Sequence, residues 1–407
     1  MNFYLKLAWR NNLRNKRRTG LAALAVGLGL AALIFTDALS VGMLSGIVDT
    51  ATGTFMGQAQ VHRRGFTDTM DADLFVEGGP ALLARLAADP LVAGAAPRTV
   101  TFAMIASPSN SASVMLYGIE PSAERGVSRL DRALKAGDYL AGEPGAIVIG
   151  AALAATLEVE LGDKLVVTAA AAGGGDLAQA MFRVGGILDT GSRAMDSNLA
   201  FIRLAKAQEL LNLGGNFHEI AVAFGNIDHA EDASLPFWAD YGGGANEAQG
   251  WPQLVPELGA ARGMSAFGIF ITAVILSGIV ALGITNTLFM SLYERMFEFG
   301  VLRAVGTRPG RMALMIVAEA AVLALLSAAV GMAIGWLASH ITGIYGLDYT
   351  GVDFAGVTIL EPIRPKFRPL QYWLYPAALF LFTLIVSLYP ALYAARMNPI
   401  KAMRKSL

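Results

Sequence analysis

The sequence contains no cysteine and only four histidines, His62, His218, His229 and His340, among 407 residues. Disulfide frameworks, thiolate-held zinc, iron–sulfur clusters and a thiol-borne lipid anchor are therefore excluded. The scattered histidines offer no metal-ligand spacing, so neither a metal nor a resident cofactor is expected. Charge is scarce too, at 15% of residues, where soluble domains average about a quarter. With 55% hydrophobic residues and a mean hydropathy of +0.51, the composition argues for a membrane-buried fraction and against a purely cytosolic enzyme. Catalytic signatures are missing as well. There is no G-x-x-x-x-G-K-[ST], no G-x-S-x-G, no H-E-x-x-H and no G-x-G-x-x-G, so the chain carries no P-loop ATP site of its own. Its acidic residues read as a solvated surface rather than a paired-carboxylate hydrolase.

What is present is long apolar runs. Four stretches, 21–48, 265–293, 312–343 and 372–394, exceed the ~20 residues that cross a bilayer as helix. The first is too long and too basic at its start for a cleaved leader and reads as a retained anchor. Residues 1–20 carry Lys6, Arg10, Arg14, Lys16, Arg17 and Arg18 with no carboxylate. The loop 294–311 has four arginines against Glu294 and Glu298, and the tail 395–407 adds Arg396, Lys401, Arg404 and Lys405. Residues 49–264, by contrast, hold 14 basic and 25 acidic residues, a net −11 hidden inside a total of −1. Basic segments stay inside, so both ends are expected in the cytoplasm, with the acidic segment 49–264 and the shorter loop 344–371 outside. No nucleic-acid partner is expected. Tyr372, Trp373 and Tyr375 at one end of the fourth stretch, and Tyr389 and Tyr393 at the other, read as interfacial girdles.

The fold class expected is thus a membrane protein of four transmembrane α-helices in a 1+3 layout, with a large α+β extracytoplasmic domain between the first and second. Within that domain Ala146–Ile149 reads as a buried strand, Ala151–Leu157 as a short helix and Leu161–Lys164 as a turn. Leu165–Thr168 and Phe182–Leu188 read as strands, and Leu82–Ala88 and Leu204–Leu213 as helices. Gly173–Gly175 reads as a hairpin tip and Gly242–Gly244 as linker. Two ionisable residues fall inside spans, where a charge suggests function or a buried partner. Asp37 is placed near the outer boundary as a snorkelling or domain-facing carboxylate. Glu319, near the inner side, is expected to pair with Arg311 or a cytoplasmic neighbour, or to bridge helices.

The inner loop reads Asn286 to Arg295, then Met-Phe-Glu-Phe-Gly300, then Val-Leu-Arg-Ala-Val-Gly306. It is expected to turn at Gly300 and carry Arg303 on a short helix ending at Gly306, an exposed charged knuckle on which a cytoplasmic partner docks. This loop resembles that of the MacB/FtsX/LolC-LolE class of ABC-transporter permeases, whose pattern E-R-x-x-E-[IF]-G-x-x-[RK]-A-[ILV]-G is matched by Glu294, Arg295, Glu298, Phe299, Gly300, Arg303, Ala304, Val305 and Gly306. The opening from Ala8 to Thr19 and the ending from Tyr389 to Arg404 resemble the same class, with Asn398-Pro399 a sound helix start in its own right. A carboxylate early in the third span, here Glu319, is also common there.

The resemblance implies that the knuckle is a coupling helix seated on a separate cytoplasmic ABC ATPase, which holds the ATP and magnesium, and that the chain itself is not an enzyme. Four spans are too few to enclose an acylated cargo, so a second permease chain, identical or related, is expected in the inner membrane of a bacterial cell. Leu39, Met43, Phe267, Phe270 and Ile271 are the candidate lining of a cargo cavity. The outward domain is similar to lipoprotein-releasing permeases in Ala146–Gly150, Val184–Leu188 and Asn198–Leu211. This implies a lipoprotein or lipid-like cargo and a periplasmic carrier or adaptor. In the LolC type, the segment after the second strand forms a chaperone-capturing hook with prolines and bulky apolar residues, whereas Ala169–Met181 here is mostly Ala and Gly, a departure that leans toward the LolE-like role or another relative of the class. A MacB-like efflux permease and an FtsX-like signalling scaffold remain as alternatives.

Overall fold

The computed structural model describes residues 2–174, 176–354 and 357–396. Two units emerge, one from residues 1–44, 263–348 and 363–407, the other from 45–262 and 349–362.

The first unit is helical. An N-terminal helix, Asn2–Arg14, precedes four long apolar helices, Lys16–Ala51, Pro256–Glu294, Pro309–Tyr345 and Gln371–Ala395. Each runs beyond the apolar stretch read from sequence, because helix does not stop where hydropathy does. Small residues set the closest approach. A Cβ on Gly331 would stand 2.7 Å from the Gly27 carbonyl oxygen, and one on Gly335 3.2 Å from the Ile34 side chain. Gly331 and Gly335 form a G-x-x-x-G seam, the spacing that lets two backbones pack closely in lipid. Gly331→Leu should therefore force the first and third long helices apart, lowering the detergent melting temperature, while Gly343→Leu, with open space around it, should be silent.

Asp37 is a buried side chain rather than a snorkelling one. It is 6% exposed and accepts hydrogen bonds from Gln371 Nε2 at 2.8 Å and the Tyr375 hydroxyl at 2.7 Å. A buried carboxylate needs such donors, and here the fourth long helix supplies them.

The second unit is built on one ten-stranded sheet of β1 (Ala59–Arg63), β2 (Val92–Ala106), β3 (Ser111–Ile119), β4 (Leu134–Gly137), β5 (Ala146–Gly150), β6 (Lys164–Ala170), β7 (Leu177–Leu188), β8 (Leu199–Arg203), β9 (Glu219–Phe224) and β10 (Asn246–Gly250). The order is β10-β1-β9-β2-β3-β8-β5-β7-β4, with β6 joining β2 to β7. Strand β2 is shared: Val92–Arg98 pairs with β9, while Ala103–Ala106 pairs with β6. All of Ala146–Gly150 is buried, because both faces of β5 are covered. Ile147 and Ile149 enter one core with Leu116, Leu157 and Phe182; Val148 enters another with Phe55, Ile119 and Phe201. Gly173 and Gly174 lie at the tip of the β6–β7 hairpin, as expected. The linker reading of Gly242–Gly244 is corrected: the triplet turns from the helix Phe237–Tyr241 into β10. A Cβ on Gly242 would come within 2.6 Å of the Trp238 carbonyl oxygen, so packing rather than slack selects glycine there. Residues 349–362 add a small antiparallel pairing, Asp353–Phe354 with Val357–Thr358.

Buried polar groups organise this unit. Arg98 is fully buried. It donates to Glu124 at 2.9 and 2.6 Å, to Glu219 at 2.9 Å, and to the carbonyls of Phe55 and Met56 at 2.5 and 3.3 Å. Those carbonyls belong to the π-turn Thr52–Met56 that follows the first long helix. His218 is equally buried. Its Nδ1 accepts from the Val100 N–H at 3.0 Å, so Nε2 carries the proton and donates to the Ala72 carbonyl at 3.1 Å. Burial holds its pKa below the ordinary histidine value. The unfolded chain therefore binds this proton more readily than the folded one, and stability is lost as pH falls below about 6.5. The slope from one such group reaches about 1.4 kcal/mol per pH unit at most. Urea unfolding at pH 8 and pH 5 should show the loss, and His218→Gln should flatten the dependence.

Candidate functional site

The candidate site is built from the segment 294–311. The helix Pro256–Glu294 breaks at Arg295, whose φ of −109° and ψ of 16° interrupt it, and a second helix runs Met296–Ala304. The expected turn at Gly300 is therefore corrected, since Gly300 lies inside this knuckle helix and is buried. The helix does end as expected, with Gly306 at φ +98°, a conformation that glycine adopts without the Cβ penalty.

One face of the knuckle is seated. Phe299 is 2% exposed and packs with Leu292, Met312, Met315, Ile316, Ala391 and Ala394, beneath the Arg295 guanidinium, 5.1 Å from its ring centroid. The opposite face is bare. Phe297, Val301 and Val305 recur at i, i+4 and i+8 and are 51%, 39% and 82% exposed, with Leu302 beside them. A helix this short does not hold together alone in water; its packed face fixes it and leaves an apolar stripe for something else.

Ion pairs complete the seat. Arg295 Nη1 donates to Glu319 at 2.5 Å and Arg295 Nε to Glu298 at 2.8 Å. Asn11 Nδ2 reaches the same Glu319 oxygen at 2.7 Å, and Asn12 Nδ2 reaches the Glu319 carbonyl at 3.0 Å. Arg14 donates to Glu298 at 3.1 Å, and Arg18 pairs with Glu294. The Arg295 hydrogen bond, followed by that from Arg14, holds the Glu298 carboxyl below its usual range. Glu319 thus pairs with Arg295 rather than Arg311. Arg303 is half-buried and reaches the Thr307 carbonyl at 3.4 Å, whereas Ala304 and Gly306 are exposed. The residues of the loop motif are gathered in one place, and Asn11, Asn12 and Arg14 join them from the N-terminal helix. The tail beyond Arg396, including Asn398-Pro399, lies outside the described residues.

The candidate cavity residues are not gathered in this way. Phe267, Phe270 and Ile271 are exposed on the second long helix, and Leu39 and Met43 are half-buried on the first. Those two helices meet through Val26, Val280, Ile284 and Leu288 instead. On the second unit, Phe102, Met104, Val166, Leu177 and Met181 are 40–75% exposed. They lie on adjoining β2, β6 and β7, where Val166 stands opposite Met181. This is a contiguous apolar face of the kind that marks contact sites.

Comparison with known proteins assigns the class. The MacB-like periplasmic core domain family matches residues 19–234 and the FtsX-like permease C-terminal family residues 270–399. The first match spans more than half of the chain, and the chain belongs to that family: it is an ABC-transporter permease of the MacB/FtsX/LolC class. Membership implies an ATPase partner and a dimeric arrangement. Among relatives, the lipoprotein-releasing system transmembrane protein LolC of Xylella fastidiosa is 24% identical over 420 residues, covering 96% of both chains. LolC of Neisseria meningitidis is 22% identical over 433 residues, covering 96% of this chain and 97% of its own. The periplasmic region of MacB from Actinobacillus actinomycetemcomitans superposes with a TM-score of 0.34 at 15% identity, over 51% of this chain and 93% of that one.

Proposed function

We propose that this chain is the membrane lever of a lipoprotein-releasing ABC transporter, extracting lipid-anchored cargo from the outer leaflet of a bacterial inner membrane. The observation that carries the reading is the knuckle Met296–Ala304, seated on one side by Phe299 and Arg295 and bare on the other. On this view the bare stripe docks a separate ATPase, which binds ATP and magnesium. Closing of the ATPase pair displaces the knuckle, and the long helices move with it, because packed helices shift as units rather than deform. In the 1+3 arrangement, with the acidic domain in the periplasm, the first long helix passes that motion through the Phe55–Met56 turn that Arg98 grips. The work is substantial: at about 0.8 kcal/mol per buried CH₂, freeing three acyl chains costs tens of kcal/mol. A second permease chain would close the path the cargo takes, and the apolar face around Phe102 and Met181 would receive a periplasmic carrier.

The test is release from proteoliposomes holding the permease, its ATPase and a fluorescent triacylated lipoprotein, with a soluble acceptor outside. ATP-dependent transfer to the acceptor is the expected result. If no lipoprotein moves and a membrane-fusion adaptor or a cell-wall hydrolase co-purifies instead, the efflux or scaffold reading replaces this one.

A further inference from the structure

Glu319 sits where three elements meet. It is 5% exposed on the third long helix. One of its carboxylate oxygens accepts at once from Arg295, at the break before the knuckle, and from Asn11 of the N-terminal helix. Its backbone carbonyl accepts from the neighbouring Asn12. Arg295 in turn holds Glu298, which Arg14 also grips. The one buried polar route from the knuckle to the third long helix, through Arg295, therefore ends on a carboxylate that also holds the N-terminal helix through Asn11.

The break itself explains why such an anchor is needed. Only Arg295 separates two helices, and a single non-helical residue is a swivel unless side chains remove its freedom. Phe299 fixes the depth of the knuckle helix by packing, but a lone ring permits rotation about its own contact. The fork of Arg295 removes that rotation, since a guanidinium bonded at both Nε and Nη1 has a fixed plane. Burying the pair is an expensive way to gain stability, so its value lies in orientation. The surface pairs are secondary: Arg14 and Glu298 are 62% and 46% exposed, and exposed pairs contribute little.

We infer that Glu319 is the positioning residue of the coupling site, locking the knuckle and the N-terminal helix onto the third long helix so that all three move as one body. The inference rests on the knuckle being the ATPase seat, and it adds that the N-terminal helix belongs to the moving part. Loss of Glu319 should leave the bare stripe intact and still able to bind, while the push is dissipated in the swivel.

Because the chain has no cysteine, spin labels can be introduced by substitution alone. With labels at Arg10→Cys and Ala304→Cys in nanodiscs, double electron–electron resonance should give one narrow distance distribution in the parent chain and a broadened one in Glu319→Gln. In unlabelled proteoliposomes Glu319→Gln should reduce cargo release per ATP hydrolysed about tenfold, a difference of about 1.4 kcal/mol in coupling, with ATPase affinity changed less than threefold. Arg295→Gln, which strands Glu319, should be worse, and Arg295→Gln with Glu319→Gln should recover toward the Glu319→Gln value, a rescue that general destabilisation does not produce. Should Glu319→Gln fail to insert, Asn11→Ala removes one of the carboxylate's two side-chain partners and should broaden the distribution by itself. A narrow distribution in both variants, or unchanged release per ATP, overturns the clamp. If the parent chain captures no ATPase, the coupling reading fails, while the label distances still decide whether the three elements are locked.

Discussion

Arg98→Met should cost the outward domain about 3–5 kcal/mol, the usual penalty for removing one member of a buried ionic set. Domains hold only about 5–15 kcal/mol in total, so the variant is expected to be open to protease at 37 °C. The loss exceeds that of an ordinary core truncation because Glu124 and Glu219, both buried, would be left without their cation. The Phe55 and Met56 carbonyls would lose their donor as well. Burial by itself works against the charge on Arg98, but Glu124 and then Glu219 more than offset it and hold the pKa above the usual arginine value. The guanidinium is therefore charged throughout the accessible pH range. Neutralising the whole set, with Arg98→Met, Glu124→Gln and Glu219→Gln together, should recover much of the stability, as apolar replacements of buried ion sets do. Limited proteolysis of the full chain in detergent measures both. An Arg98→Met protein as resistant as its parent would mean that the cluster is solvated.

The second large effect lies on the bare stripe. Val305→Glu should weaken ATPase capture by at least about thirtyfold, the scale of a hot-spot residue worth ~2 kcal/mol. Its melting temperature should not move, since the Val305 side chain touches little of its own protein. Phe299→Ala should do the opposite, lowering stability because the ring fills the pocket formed by Leu292, Met315 and Ala391. A pull-down paired with a thermal melt separates the two. Undiminished capture by Val305→Glu would remove the stripe from the interface.

Much of this architecture was legible because lipid and water impose simple patterns. Runs of apolar residues longer than a bilayer is thick, and the sign of the charges between them, mark the four long helices and the acidic segment. The short run Ala146–Ile149 identifies a strand buried on both faces. The knuckle was legible because its motif is contiguous. Its hinge was not: glycine suggested the turn at Gly300, but the break falls at Arg295, whose partner Glu319 lies on a different helix. Asn11 and Asn12 gave no sign of their role, since contacts across some 300 residues leave no local trace. Two further signals stand in the sequence. G-x-x-x-G at Gly331–Gly335 marks the seam with the first long helix, and a lone arginine inside the apolar stretch of β2 marks the buried cluster.

Strand β2 carries a consequence for anyone wishing to dissect the outward domain. Its leading half is hydrogen-bonded to β9 and its trailing half to β6, so the two lobes share a single piece of backbone. Neither lobe can be excised, swapped or grafted by cutting at a loop, because any excision leaves the other with an orphaned edge. Chimeras between permeases of this class should therefore exchange the head whole, and amide exchange near Val100 should report the opening of both lobes in one cooperative event.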